Sequence, residues 1–164
     1  MKLHSFSVAF TALALCLTTA GAASAQTAAE LVGTWVLVGN DIIRADGSRQ
    51  PSFGPRGTGS AIFSSNGRFA VVNINPDTPK YAANNRAQGT AEEDKAAVMG
   101  GLGIFGTYAV SGTTLTLQVE GSTYPNWSGV RLTRTILSLT AEETKWAGGT
   151  TLNGVNEFSW KRAN

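Results

Sequence analysis

The chain has 164 residues, with 13 Lys and Arg against 11 Asp and Glu, one His and one Cys. This near balance of charge supplies no field for nucleic acid or an anionic membrane surface, so no nucleic-acid partner is expected. The lone His4 and Cys16 both fall in an N-terminal stretch expected to be removed, which leaves the remainder without imidazole or thiol chemistry.

That stretch is residues 1–25. Lys2 and His4 give a polar, positive start, Phe6 to Thr18 is largely apolar, and Ala23-Ser24-Ala25 offers a small-x-small cleavage site before Gln26. The apolar run is too short to serve as a membrane span. A lipoprotein reading through Cys16 meets Leu15 where such sites carry a small residue. The expected product is therefore exported, periplasmic or secreted, without stable membrane insertion. Residues 26–164 then form one domain of 139 residues, with 12 basic against 11 acidic side chains. That length suffices for a substantial core. Exported domains often use disulfides, and this one has to rely on packing instead.

Thr27-Ala28-Ala29-Glu30 fits a capping box and predicts a single helical turn that could close one end of a barrel. Leu31-Val32-Gly33-Thr34-Trp35-Val36-Leu37-Val38 follows as the first strand. It is apolar on both faces, so burial on both is expected, and Ile42 and Ile43 carry it to a turn at Asp46-Gly47. Arg44 to Gly59, dense in Gly, Pro, Ser and Arg, reads as a long loop. Ser60 to Phe63 and Arg68 to Ile74 flank Ser65-Asn66-Gly67, a hairpin signal because Asn and Gly tolerate positive φ.

Asn75 to Gly89 carries no strand pattern. Thr90-Ala91-Glu92-Glu93 is a second capping box, opening a helix that stops at Gly100-Gly101 and could dock through Ala96, Val98 and Met99. Further strands are predicted at 102–110, 113–120, 130–139, 143–147 and 155–162. They are joined by Ser111-Gly112, by Thr140-Ala141-Glu142 and by Gly148 to Gly154. Leu115, Leu117 and Val119 alternate with Thr114, Thr116, Gln118 and Glu120, one face inward and one wet. The expected fold is all-β: an eight-stranded antiparallel up-and-down barrel with one short inserted helix.

Gly33-Thr34-Trp35 on the first strand matches a Gly-x-Trp signature, and Trp160-Lys161-Arg162 stands on the last. Also characteristic are Asn84 to Glu93, Phe105-Gly106-Thr107-Tyr108 and Glu120-Gly121-Ser122-Thr123-Tyr124-Pro125-Asn126-Trp127. Together these resemble the lipocalin-like family of small bacterial and fungal domains, over nearly all of the chain after residue 25. The resemblance implies a calycin-type barrel with an internal cavity. It also implies that Trp35 packs at the closed end under a basic side chain from a late strand, Arg162 or Arg134. The chain departs from ordinary lipocalins in lacking disulfides and in placing a helix mid-barrel, so their ligand set is not carried over.

Absent residues limit the chemistry. Without His or Cys there is no Ser-His-Asp triad, no thiol nucleophile and no imidazole or thiolate metal site. Glu92-Glu93-Asp94 is a solvated helix start, and Gly100-Gly101-Leu102-Gly103 lacks the Lys and the strand–helix setting of a phosphate loop. Neither metal nor cofactor is expected.

Three sets remain as candidates. Arg134 shares a face with Leu132 and Ile136; directed inward, it is either a satisfied structural charge or an anchor for a ligand carboxylate or enolate. Glu120 stands near Tyr124, Asn126 and Trp127. It would be a general base if a bulge at Gly121 turned it inward, and a wet strand-end residue otherwise. Trp127 and Asn126 suit the wall of a barrel mouth. Tyr81, Asn84, Asn85 and Arg86 could form a lid or simply satisfy their own loop.

Phe63, Phe69, Tyr108, Phe158 and Trp160 are expected as core or cavity lining. The leading expectation is a barrel binding a small apolar or amphipathic molecule. The alternatives are a cofactor-independent isomerase or cyclase using Glu120, Arg134 and Tyr108, and a packed interaction module.

Overall fold

The computed structural model describes residues 27–151 and 153–163. The expected export segment lies outside the described residues. In chain order the elements are α1 (Ala28–Leu31), β1 (Gly33–Ile43), β2 (Arg49–Pro51), β3 (Thr58–Phe63) and β4 (Arg68–Ile74). There follow α2 (Ala91–Met99), β5 (Gly101–Ser111), β6 (Thr114–Ser122), β7 (Arg131–Leu139), β8 (Glu143–Thr151) and β9 (Gly154–Arg162). Two single 3-10 turns stand at Arg86–Gln88 and Pro125–Trp127.

Every strand pairing is antiparallel, and β1 pairs with β9 to close the sheet into an eight-stranded up-and-down barrel. Closure removes the exposed strand edges that an open sheet would leave. β2 is an addition. It is a three-residue flap on the second half of β1, while β3 pairs with the first half. The loop expected from Arg44 to Gly59 is thus interrupted by a short strand. The last hairpin is likewise longer than expected, because β8 runs through the glycines at 148 and 149.

The local signals behave as their chemistry dictates. Gly67 takes φ +79° in the β3–β4 hairpin, and Gly112 takes φ +57° between β5 and β6. In α1 the Glu30 carboxylate accepts the Thr27 N–H at 2.7 Å. In α2 the Thr90 hydroxyl accepts from Glu93 N at 3.2 Å while Glu93 accepts Thr90 N at 2.8 Å.

Two packing expectations fail. β1 is not buried on both faces: Trp35 and Leu37 point inward, but Val36 and Val38 lie on the wet outer face. A half-exposed antiparallel strand needs only one apolar face. Nor does α2 dock through Val98 and Met99, which are 68 % and 71 % exposed. It is tied down by polar bonds at its N-terminus instead.

The core is a chain of aromatic contacts along the barrel. Tyr108 meets Phe63 edge-on at 5.0 Å, Phe63 meets Trp146 edge-on at 5.9 Å, and Trp146 stacks on Trp160 at 5.1 Å. Leu31, Trp35, Leu115 and Val119 are wholly buried around it. α1 caps one end, where Leu31 is driven inside and its carbonyl accepts the Trp35 indole N–H at 2.9 Å. The opposite end remains open.

Candidate functional site

The open end leads into a cavity of about 130 Å³. Its floor is apolar, with Val71, Ile104 and Leu117. One wall is aromatic: Trp146, Phe158 and Trp160, with Trp127 at the rim. Phe158 and Trp160 are stacked at 6.5 Å, so the wall presents a run of ring faces. The polar groups are few: Arg134, Asn40, Asn73, Ser52 and Asn156. Among the described residues no Asp or Glu lines the cavity.

Two bulges decide which polar groups enter. Strict alternation from Trp35 and Leu37 would direct Gly39 and Asp41 inward. A register shift between Leu37 and Gly39 reverses the faces, so Asn40 and Ile42 line the cavity and Asp41 lies outside on Arg49 at 3.1 Å. In β8 the register shifts between Ala147 and Thr150. There Gly148 has φ +151° and Gly149 φ +74°. A Cβ on Gly148 would lie 2.9 Å from Arg134 Cδ, and one on Gly149 3.4 Å from its Nη1. Gly148 is thus required by the close approach of β7 and the arginine stem, and Gly149 by its positive φ.

Arg134 is only 6 % exposed. Among the described residues its one hydrogen bond runs from Nη1 to the carbonyl of neighbouring Thr133 at 3.1 Å, and its guanidinium lies 5.9 Å from the Phe158 ring centre. Burial pulls its pKa below the ordinary guanidinium value. Three buried polar atoms have no hydrogen-bond partner among the described residues: Trp160 Nε1, Asn40 Oδ1 and Asn73 Oδ1. The rim is better satisfied. Ser52 donates to Asn156 Oδ1 at 3.0 Å, and Asn156 donates to the Gly149 carbonyl at 3.1 Å.

The closed end takes the other arginine. Arg162 Cζ lies 4.1 Å over the Trp35 ring. Its guanidinium donates to the carbonyls of Val32 at 2.7 Å, Glu30 at 2.9 Å and Ala141. Arg162 is therefore the basic lid on Trp35, and Arg134 is not.

The remaining candidates are dispersed. Trp127 and Arg134 line the cavity, as does Phe158. Phe63, Phe69 and Tyr108 belong to the packed closed half. There the Tyr108 hydroxyl donates to the Ser64 carbonyl at 3.1 Å, and burial raises its pKa. Glu120 sits at a register shift, where Phe105 opposes Gly121 and Gly106 opposes Val119, yet its carboxylate stays outside. It is held bidentately by Arg68 at 2.7 and 2.9 Å. The bulge that could have turned it inward exists and does not.

Asn126 is exposed and donates to the Tyr124 hydroxyl at 3.2 Å, off the cavity wall. Tyr81 donates to Asp94 at 3.0 Å, and Asn85 caps the turn after it by accepting from Ala87 N. Neither reaches the mouth. The loop that does is the earlier one, which contributes Ser52 and Phe53. Its only signal in the sequence was an aromatic ring in an otherwise polar, Gly- and Pro-rich stretch.

The chemistry gathered in the cavity is that of recognition. The cavity holds a cation, amides and rings, with no carboxylate to act as a general base beside Arg134, and Tyr108 is committed at the far end. The interior holds this cavity beside its packed half, and Ile62, Val72 and Phe105 expose apolar surface on the outside of the barrel. Among the described residues no three His, Cys, Asp or Glu side chains gather as a metal site, and no helix is long and apolar enough to cross a membrane.

No curated protein matches the chain. Among solved structures, a redesigned beta barrel is similar, at 14 % identity and a TM-score of 0.41, over 86 % of this chain and 97 % of the other. The profile of the lipocalin-like domain matches residues 32–163, and on that match the chain belongs to the lipocalin-like domain family.

Proposed function

We propose that this protein is an exported barrel that takes up one small, largely apolar molecule through its open end. The observation that carries the reading is the cavity itself: about 130 Å³, walled by Trp127, Trp146, Phe158 and Trp160, in a barrel whose other end is sealed. A space of this order accepts a molecule of about one benzene ring. A longer molecule would project past Trp127 and Phe53 at the rim. Export rests on the pattern of residues 1–25, with its apolar run and the Ala23-Ser24-Ala25 site.

Native mass spectrometry of the protein recovered from the periplasm or medium of its own cells tests both parts. The expected result is a polypeptide beginning at Gln26 that carries one small molecule per chain. Protein stripped of that molecule should take up a neutral fluorescent apolar probe and transfer energy to it from its tryptophans. A chain that retains residues 1–25 would overturn export. A barrel that carries no molecule and takes up no probe would overturn binding.

A further inference from the structure

The buried cation in the cavity defines the ligand more closely. An ionised group taken out of water costs several kcal/mol unless it is paired and hydrogen-bonded. Arg134 is 6 % exposed, and among the described residues it has one hydrogen bond, to its neighbour's carbonyl. The ion pairs formed by the described residues all stand elsewhere: Arg49 with Asp41 and Glu157, Lys145 with Glu157, Arg56 with Asp77, Arg68 with Glu120 and Lys161 with Glu143. None of those carboxylates lines the cavity. A Cβ on Gly148 would press on the Thr133 carbonyl and on Arg134 Cδ, so this glycine lets the arginine stem lie in its buried place.

A guanidinium is a planar fork of N–H donors, and its best partner is a planar carboxylate accepting two of them in parallel. Beside it stand ring faces, Phe158 at 5.9 Å and Trp160 stacked beyond. The Asn40 and Asn73 oxygens, buried and unpartnered, ask for a donor from whatever fills the space.

Resting on the binding reading above, we propose that the ligand is a small aromatic monocarboxylic acid bearing a hydroxyl. Its carboxylate is paired with Arg134, its ring lies against Phe158 and Trp160, and its hydroxyl donates to an Asn40 or Asn73 oxygen. Nothing is transferred. The barrel supplies the counter-charge that the acid loses on leaving water, and the acid supplies the one that Arg134 lacks.

Isothermal titration of the stripped protein tests this with 4-hydroxybenzoate, benzoate and 4-hydroxybenzamide as probes. The neutral amide keeps the ring and hydroxyl and removes the charge. The expected order is 4-hydroxybenzoate first, then benzoate, with the amide at least about ten-fold weaker than its acid. Arg134→Met should bring the acid down to the level of the amide and leave the amide unmoved. Arg134→Lys should recover part of the difference, because it restores charge without the fork. Circular dichroism and the thermal midpoint of each variant establish that it is folded.

Equal binding of acid and amide, or full acid affinity in Arg134→Met, would overturn the proposal. So would uptake of the neutral fluorescent probe without any of the three; in each of these cases the cavity still binds and only its preference for an acid falls. Absence of all binding, the neutral probe included, would overturn this proposal and the binding function together.

Discussion

Arg162 and Arg134 are the same side chain from opposite halves of one barrel, and they are treated in opposite ways. Arg162, on the last strand, lies flat on Trp35 and spends its donors on three backbone carbonyls that would otherwise be bare at the end of a helical turn and a hairpin. Arg134, on β7, is placed among rings with a single carbonyl to satisfy it. The first is a finished structure: packing, hydrogen bonds and charge are all accounted for within the chain. The second is unfinished. A buried charge with so few partners costs stability. The difference separates the half of the barrel that makes the fold from the half that we propose binds.

The largest expected effect lies at Trp35. Trp35→Ala removes a fully buried ring, the hydrogen bond to Leu31 and the platform of Arg162. It should cost about 3–5 kcal/mol, read as a lower urea midpoint with an unchanged slope. Trp127→Ala, at the rim, should cost far less and weaken ligand uptake instead. Equal losses of stability in the two variants would break the division between the halves.

The two arginines sharpen the division further, because the same substitution should act with opposite sign. Arg162→Met strands the carbonyls of Glu30, Val32 and Ala141 and should destabilise by about 1–3 kcal/mol. Arg134→Met replaces a desolvated cation with an apolar chain of similar length beside Phe158, and should stabilise the unliganded protein by about 1 kcal/mol. Thermal midpoints of the two variants, measured without ligand, test the contrast directly. A loss of stability in Arg134→Met would mean that the cation is structurally satisfied after all.

What was legible in the sequence divides along the same line. The closed half is built from local rules. A capping box at Thr27, an Asn-Gly turn at 66–67 and period-two alternation in β6 each follow from the residues on the spot, and each stands where it was expected. The choice between Arg162 and Arg134 as the lid on Trp35 was not local. It depends on which strand end meets β1 when the sheet closes.

The open half was mostly illegible because it is set by register shifts. Val38 takes one extra place in β1 and thereby exchanges Asp41 for Asn40 inside. Were β1 regular through Val38, strict alternation would put the Asp41 carboxylate inside in place of Asn40. Gly148-Gly149 looked like a connection and is a bulged strand moulded around Arg134. An inserted residue flips every side chain after it, and no pattern confined to one strand reports it. Ser52 and Phe53 were hidden for another reason: a loop's contribution to a mouth depends on where its ends are pinned, here by β2 on the far half of β1.

Smaller effects are expected where the two halves meet solvent. Glu120→Gln breaks an ion pair whose partners are 42 % and 46 % exposed, so it should change stability by less than about 1 kcal/mol and leave ligand uptake untouched. A loss of uptake in this variant would return Glu120 to the site from which its geometry removes it.

The smallest effect concerns the loop before α2, which could have been a lid and is anchored away from the mouth. The Glu93 carboxylate accepts Ala82 N and Thr90 N, each at 2.8 Å, and these two bonds hold its pKa below the ordinary carboxylate value. Because the folded value is the lower one, the folded state favours the ionised form. Its contribution is present in full above the unfolded carboxylate range, about pH 4, and is lost as pH falls through the folded value. Titrated by NMR, the Ala82 and Thr90 amide signals should therefore move together at acid pH, with a midpoint below the ordinary carboxylate range. Glu93→Gln should abolish the shared step and loosen the loop. Ligand affinity at neutral pH should be unchanged, since no residue from Asn75 to Gly89 lines the cavity. If Glu93→Gln did alter affinity, the loop would act on the mouth after all, and the boundary between the finished and unfinished halves would have to be redrawn to include it.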